Sequence, residues 1–347
     1  MTPEQETRIR ALIAKLTTSE EGGALLLSAL DEAGLALLRK ARLDTFPTCT
    51  DPDRLAAAWT GIILDSETTG LERTDEVVEL AMLRFRFDEA EVLSLDAVFT
   101  QMREPNVPIS EEASQVTGIT AEMLAGKRID EADVAAFLEG AELIIAHNAA
   151  FDRPMVERTF PASGFDRFPW HCSLEQVDWQ GRGKKGRSLE SVVLSEGYVY
   201  GSHRADADVI ATAFALNATG VETAFAEMLR NGERETIQVI AKDSRIDAKD
   251  ALKGAGFKWS PDGAHALGHR AWHKEIPDTA EEKAALSELI RSRAVYGKEM
   301  SLPAVRMSPL NRYSGRKPEA PDFFRTAEFQ TIQAEMDARV PDQPSLF

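Results

Sequence analysis

The sequence predicts an α/β protein built on a mixed five-stranded sheet with flanking helices, preceded by a helical lead-in and followed by a small second α/β unit. Three observations carry that expectation. Residues 61–64 are a short aliphatic run closed by Asp65-Ser66-Glu67-Thr68-Thr69-Gly70, which reads as a buried strand ending in a turn. Runs of period two follow it, and segments of helical spacing then alternate with a second apolar run at 142–146. From about residue 234 a new strand, helix and hairpin pattern begins.

In chain order, residues 1–58 read as a helical N-terminal region. Leu25, Leu26, Ala29, Leu30, Ala33, Leu37 and Leu38 recur at helical spacing after Thr17-Thr18-Ser19-Glu20, an N-cap pattern. Pro47 and Pro52, with Thr48, Thr50 and Asp51, break the pattern and mark a linker. Residues 59–220 form the main unit. After the opening strand, Val78, Leu80, Leu83, Phe85 and Phe87 shift towards period two, and beyond a turn at 88–91, Leu93, Leu95, Ala97 and Phe99 alternate, giving three antiparallel strands. Helices are expected at 110–116, 120–124 and 130–138, then the buried strand 142–146 and a helix headed by Asp152. Two more helices follow at 188–196 and 204–216. A meander followed by α/β crossovers gives the mixed sheet. Residues 234–276 form the small module, with a strand at 237–241, a helix at 247–253 and a hairpin of 257–259 with 271–274 around Pro261-Asp262-Gly263. Residues 277–347 hold a charged helix over 280–296, a short helix at 326–336 and a flexible tail.

With 347 residues and 43% hydrophobic content, the chain can build a core in each of two units. The net charge of -17 excludes coating of nucleic acid or membrane by bulk electrostatics, yet leaves room for an enzyme whose contact is local and metal-assisted. Cys49 and Cys172 are too few and too far apart for a disulfide framework or a zinc site. That fits a reducing compartment. Without an apolar span or a basic leader, a cytoplasmic protein with no membrane contact is expected.

Side chains two apart on a strand share a face, so Asp65 and Glu67 point the same way. Carboxylates about 4–5 Å apart repel by about 3–4 kcal/mol at an effective dielectric of about 20, so they share a proton or hold a cation. Asp152 after the second buried strand and Asp208 in the helix after His203 add acids at two further element ends. An oxygen-only ligand set suits Mg2+ or Mn2+. Periodicity leaves Asp206 and Asp208 both at the edges of the apolar stripe and does not choose between them.

Asp65-Ser66-Glu67-Thr68-Thr69-Gly70, then His147-Asn148-Ala149-Ala150-Phe151-Asp152, then His203 followed five positions later by Asp208, resemble in order and spacing the three motifs of the DEDDh 3′-5′ exonucleases. Within that family the likeness is greatest to the proofreading ε subunits of bacterial DNA polymerase III. Val116-Thr117-Gly118-Ile119-Thr120 is similar to the family as well. The resemblance covers about 59–217 and implies an RNase H-like fold and removal of nucleotides from 3′ ends. It also implies two cations held by Asp65, Glu67 and Asp208, with Asp152 assisting, and so selects Asp208 over Asp206. His203 is then the candidate general base, expected just before the helix because five residues turn about 140° within one. By the same resemblance Thr68 contacts the terminal nucleotide, while Asn148 and Phe151 position its backbone and base. The partner expected is single-stranded DNA or a DNA 3′ end. An RNA-trimming enzyme stays open, since nothing here reads a 2′-hydroxyl. A catalytically silent 3′-end-binding scaffold has no need for mutually repelling carboxylates.

Three further stretches carry alternatives. The loop 181–187 packs Arg182, Lys184, Lys185 and Arg187 into seven residues, either as a solvated loop or as one that tracks substrate phosphates. Lys249, Lys253, Lys258, Arg270 and Lys274 lie near Phe257, Trp259 and Trp272, where stacking on single strands competes with the favoured reading, both Trp residues paired across the hairpin as core. The last residues, Gln343-Pro344-Ser345-Leu346-Phe347, resemble the peptide by which bacterial replication and repair proteins dock on the sliding clamp, with Pro344 where Leu is usual. The N-terminal region and the second unit depart from the ε pattern, so proofreading, repair and DNA-end turnover all stay open.

Overall fold

The computed structural model describes residues 20–316 apart from 33, 35, 36, 73, 243, 261–269 and 292–302, together with 8, 11 and 13. The clamp-like peptide with Gln343, Leu346 and Phe347, the helix expected at 326–336, the cap at 17–19 and the turn at 261–263 lie outside the described residues.

The strands are β1 (Arg39–Lys40), β2 (Trp59–Thr68), β3 (Val77–Phe87), β4 (Val92–Met102), β5 (Leu143–Ala146), β6 (Trp170–Cys172), β7 (Tyr198–Val199), β8 (Thr236–Ala241), β9 (Lys258–Ser260), β10 (Ala271–Pro277) and β11 (Ala304–Met307). The main sheet runs β4-β3-β2-β5-β6. Its first three strands form an antiparallel meander, and β5 and β6 add in parallel. This is the mixed five-stranded sheet with flanking helices that the sequence predicts. β2 is central and buried on both faces, which is why its apolar run shows no simple alternation. Ile62, Leu64, Leu80, Met82 and Ile144 pack on the helix Ala149–Thr159 through Met155 and Val156. On the opposite face Ile63, Leu83, Phe85 and Ile145 pack on the helix Ala205–Leu216 through Val209 and Phe214. Period two therefore sends Asp65 and Glu67 to the second of these faces and Ser66 to the first. Gly61 has a steric reason: a Cβ there would come within 2.5 Å of Phe85 Cζ.

The N-terminal region is less helical than expected. The helix Glu20–Glu32 stops short of Leu37 and Leu38, which are exposed. The chain then lays β1 parallel to β7 and sets Phe46 edge-on against Phe214, centroids 5.2 Å apart. Pro52 starts a helix instead of marking a break. In the first turn of Pro52–Ala57 its missing N–H is no loss, and the Asp51 side chain accepts from the N–H groups of Asp53 and Arg54.

The second sheet runs β11-β8-β10-β9 and is antiparallel throughout. Ile237 and Val239 of β8 and Ile276 of β10 share its core with Leu252, Phe257 and Leu286. Trp259 stands directly opposite Trp272, centroids 5.7 Å apart, as the core pairing requires, but only Trp272 packs against that core. The fourth strand, β11, comes from a stretch whose Pro-bearing, polar sequence suggests no strand. It pairs there because β8 offers an unpaired edge. After β11 the chain returns to the main unit. Trp170 donates its backbone N–H to the Pro309 carbonyl at 2.8 Å. Arg153, fully buried, donates to the carbonyls of Pro309, Leu310 and Arg312 at 3.0, 2.6 and 2.8 Å. No helix among the described residues is long and apolar enough to cross a membrane.

Candidate metal centre

The site forms where β2 outruns its neighbour. Pairing with β5 ends at Ile63 opposite Ile145, whereas β2 continues to Thr68, so its last residues present a free edge. Asp152 occupies that edge. Its Oδ1 accepts the Ser66 N–H at 3.1 Å and the Ser66 hydroxyl at 2.7 Å. On the other face, Asp65 and Glu67 meet Asp208, with one carboxylate oxygen from each lying within 4.8 Å of the others. Asp208 is in the first turn of its helix and accepts from the Tyr200 hydroxyl and the Arg204 N–H, both at 3.0 Å. Asp206 is exposed and bonds to the Ala207 N–H instead.

Of the four acids expected as ligands, then, three converge and Asp152 stands beside them, engaged by Ser66. A fourth carboxylate on the cluster's own face was not foreseen. Glu79 lies opposite Glu67 in the β2–β3 register, fully buried. Arg204 clasps it with two bonds, at 2.8 and 3.2 Å. Its signal in the sequence is a lone acid inside the apolar stretch from Val77 to Leu83. Ser66, Tyr200 and Arg204 were likewise missed, because each acts through a neighbour in space.

Burial and this density of negative charge favour the protonated carboxyls. Burial, followed by Asp152, Asp208 and Glu67, holds the Asp65 carboxyl well above its ordinary range. Burial and then Asp208 and Glu79 push Glu67 up to about 7. Burial raises Asp152 to about 7 against the opposing pull of the Ser66 bonds, and it raises Asp208 as well. The Tyr200 phenol is held far above its usual range by burial and the Asp208 charge, so it remains a donor. Hard oxygen donors gathered against their own repulsion suit a divalent cation, which Asp65, Glu67 and Asp208 could hold.

His203 lies outside the helix, as its spacing to Asp208 requires, exposed on a bend with φ of 65°. A left-handed backbone at a residue other than Gly costs about 1–3 kcal/mol and is typical of functional positions. Asn148 is exposed at the N-cap of Ala149–Thr159 and makes no capping bond, so its amide is available. Phe151 is half-buried against the core. Thr68 differs from expectation: its hydroxyl donates to the Gly70 carbonyl at 2.6 Å and is turned into the β2–β3 turn. The loop cations separate into two kinds. Lys184 pairs with Glu196 and Arg182 with Glu227, so Lys184 is anchored and does not offer the free phosphate contact expected of it. Lys185 is exposed, and Arg187 meets Glu175 at 3.2 Å on the surface. The Arg187 carbonyl also bonds His147 Nε2 at 3.0 Å, tying this loop to the second motif. Beyond His147 a cleft of about 720 Å³ is lined by residues 174–180, Lys184–Arg187 and Asn231, without the three clustered carboxylates.

Residues 62–216 match the family model RNase_T, described as an exonuclease. The chain is 38% identical over 96 residues to the DNA polymerase III PolC-type of Thermotoga maritima, covering 27% of this chain and 7% of that protein. It is 29% identical over 244 residues to the DNA polymerase III PolC-type of Lacticaseibacillus paracasei, covering 66% of this chain and 16% of that protein. The chain thus spans a small part of the curated relatives it matches. Among solved structures, it is similar to Exonuclease X in complex with 5′ overhanging duplex DNA, at 24% identity and a TM-score of 0.36, over 48% of this chain and 98% of that one.

Proposed function

We propose that the chain, whose residues 62–216 match the RNase_T exonuclease model, is a metal-dependent 3′-5′ exonuclease. It releases nucleotides from DNA 3′ ends by two-metal-ion phosphodiester hydrolysis, in proofreading, repair or DNA-end turnover. The observation that carries this reading is the meeting of Asp65, Glu67 and Asp208 within 4.8 Å, beside Asp152. When bound, divalent cations would supply positive charge that draws electrons from the phosphodiester and acidifies the attacking water.

The chain's own groups do the rest. Asp65, Glu67 and Asp208 hold the cations, and Tyr200 and the Arg204 N–H fix how Asp208 points. Asp152, buried and tied to Ser66, adds a further carboxyl beside them. His203 takes the proton of the attacking water, which its exposed position one step ahead of the helix supports. Asn148 and Phe151 hold the terminal nucleotide, and Lys185 and Arg187 track its phosphates. The peptide with Gln343, Leu346 and Phe347 docks on the sliding clamp, a reading supported by sequence alone and ended by unchanged co-elution after its deletion.

The test uses 5′-labelled single-stranded DNA and RNA of one sequence, with Mg2+ or a chelator, and Asp65→Ala and His203→Ala beside the parent. A stepwise ladder on DNA that vanishes with chelator and in both variants is expected. Nicking of closed circles would point to an endonuclease, and a ladder on RNA alone to an exoribonuclease.

A further inference from the structure

The second sheet carries a feature that its own stability does not require. Trp272 sits on the inner strand β10 and seals the core beside Ile276, four residues along the same face. Its partner Trp259 sits on the edge strand β9 and remains 49% exposed. One ring is fixed by packing and the other leans on it at 5.7 Å with one side open. An open aromatic on an edge strand is a liability unless something covers it.

The surrounding charge identifies the covering. Lys258 neighbours Trp259 on β9, and Lys274 shares the face of Trp272. Lys274 reaches over the turn at Gly256, whose Cβ would stand 3.9 Å from Lys274 Nζ. That turn is closed by the Gly256 N–H on the Lys253 carbonyl at 3.0 Å, so Lys253 borders the hairpin too. Lys253, Lys258 and Lys274 make no ion pair among the described residues, and Asp250 is the one carboxylate in 248–260 and 270–274. In a chain of net charge -17, this is a local reversal of sign around a braced aromatic ring.

We propose that the Trp259–Trp272 hairpin, bordered by Lys253, Lys258 and Lys274, is a second nucleic-acid surface that binds single strands by stacking a base on Trp259. The base face fills the open side of the ring, and the ammonium groups meet the flanking phosphates. Because Trp272 already immobilises Trp259, little side-chain freedom is lost on binding. The surface recognises unpaired bases without reading their edges, so DNA and RNA single strands both fit. This inference goes beyond the hydrolytic site and does not depend on it.

The experiment measures binding of the full chain, in chelator so that nothing is cleaved, to a 5′-labelled oligothymidylate of about 20 nucleotides, longer than a typical single-strand footprint. Trp259→Ala is expected to weaken binding by about 5- to 100-fold, the range for loss of one base–aromatic stack, whereas Trp259→Phe retains most of the affinity. Lys258→Glu with Lys274→Glu weakens binding and flattens the slope of log affinity against log salt by about 0.7 for each phosphate no longer neutralised. Oligothymidylate quenches tryptophan fluorescence in the parent and less in Trp259→Ala. Cleavage of a trinucleotide, too short to span both surfaces, is unchanged in Trp259→Ala. Unchanged binding by Trp259→Ala would overturn the proposal, as would equally tight binding of a blunt duplex or an equal loss of trinucleotide cleavage. Binding lost in Trp259→Ala while the parent cleaves nothing would leave this surface standing and remove the nuclease reading alone.

Discussion

Ser66 donates both its N–H, at 3.1 Å, and its hydroxyl, at 2.7 Å, to one oxygen of Asp152. This pair of bonds joins β2 to the helix Ala149–Thr159 between the two acids that β2 sends to the opposite face. The second motif is thus fastened to the first through a residue that bears no charge.

Loss of that fastening should be measurable. A hydrogen bond to a buried charged group contributes about 1.5–3 kcal/mol, so Ser66→Ala is expected to lower stability by that amount in urea unfolding without metal. With one donor gone, Asp152 ionises at higher pH still, and Mn2+ binding should begin at higher pH than in the parent.

Stability of the metal-free protein should fall with rising pH. Glu67 and Asp152 are pushed up to about 7 in the folded state, so above their ordinary range the folded protein holds protons that the unfolded chain has released. Their contribution is complete below about pH 4 and lost as pH rises through about 7. The melting temperature in chelator should therefore drop between about pH 5 and 8, and Mn2+ should raise it more at about pH 8, where a hundredfold excess over Kd adds about 2.7 kcal/mol of stability. An equal Mn2+ effect at both pH values would contradict the charge balance described.

Arg204 is the counter-ion of fully buried Glu79. Arg204→Ala leaves that carboxylate without a cation and is expected to cost about 3–5 kcal/mol in urea unfolding. Arg204→Lys should recover only part, because an ammonium lacks the fork that meets both carboxylate oxygens.

Arg153 anchors the segment after β11 to the helix that bears Asp152 through three carbonyls, its guanidinium held by Glu157 one turn along the same helix. Arg153→Ala is expected to cost about 3 kcal/mol or more by removing three hydrogen bonds to those carbonyls and the cation nearest Glu157, and to speed protease cleavage within 308–312. Unchanged cleavage there would mean that the anchor lies elsewhere.

How far the sequence could be read depended on distance along the chain. β2 with Asp65 and Glu67, the hairpin of Trp259 and Trp272, and His203 ahead of its helix follow from local rules of period and turn. The choice of Asp208 over Asp206 needed motif spacing, since both sit at the edge of one helical stripe. β6 is three residues long with a His at its centre, too short for periodicity to register, and β1, β7 and β11 exist only because of the strands they pair with. Glu79, Ser66 and Arg153 were illegible for the same reason. The long-range partners that fix them lie 125, 86 and 156 or more positions away, and the local pair of Arg153 with Glu157 does not by itself mark a buried charge.

Asp65, Glu67 and Asp208 together are expected to bind divalent cations. The decisive measurement is calorimetric titration of Mn2+ into the metal-free parent and into Asp65→Asn, Glu67→Gln, Asp208→Asn and Asp206→Asn. The first three variants should each lose affinity by at least about tenfold, the lower end of losses seen even for residues that only support a ligand, and Asp206→Asn should bind as the parent does. Parent-like Mn2+ binding by Asp65→Asn or Asp208→Asn would contradict that expectation.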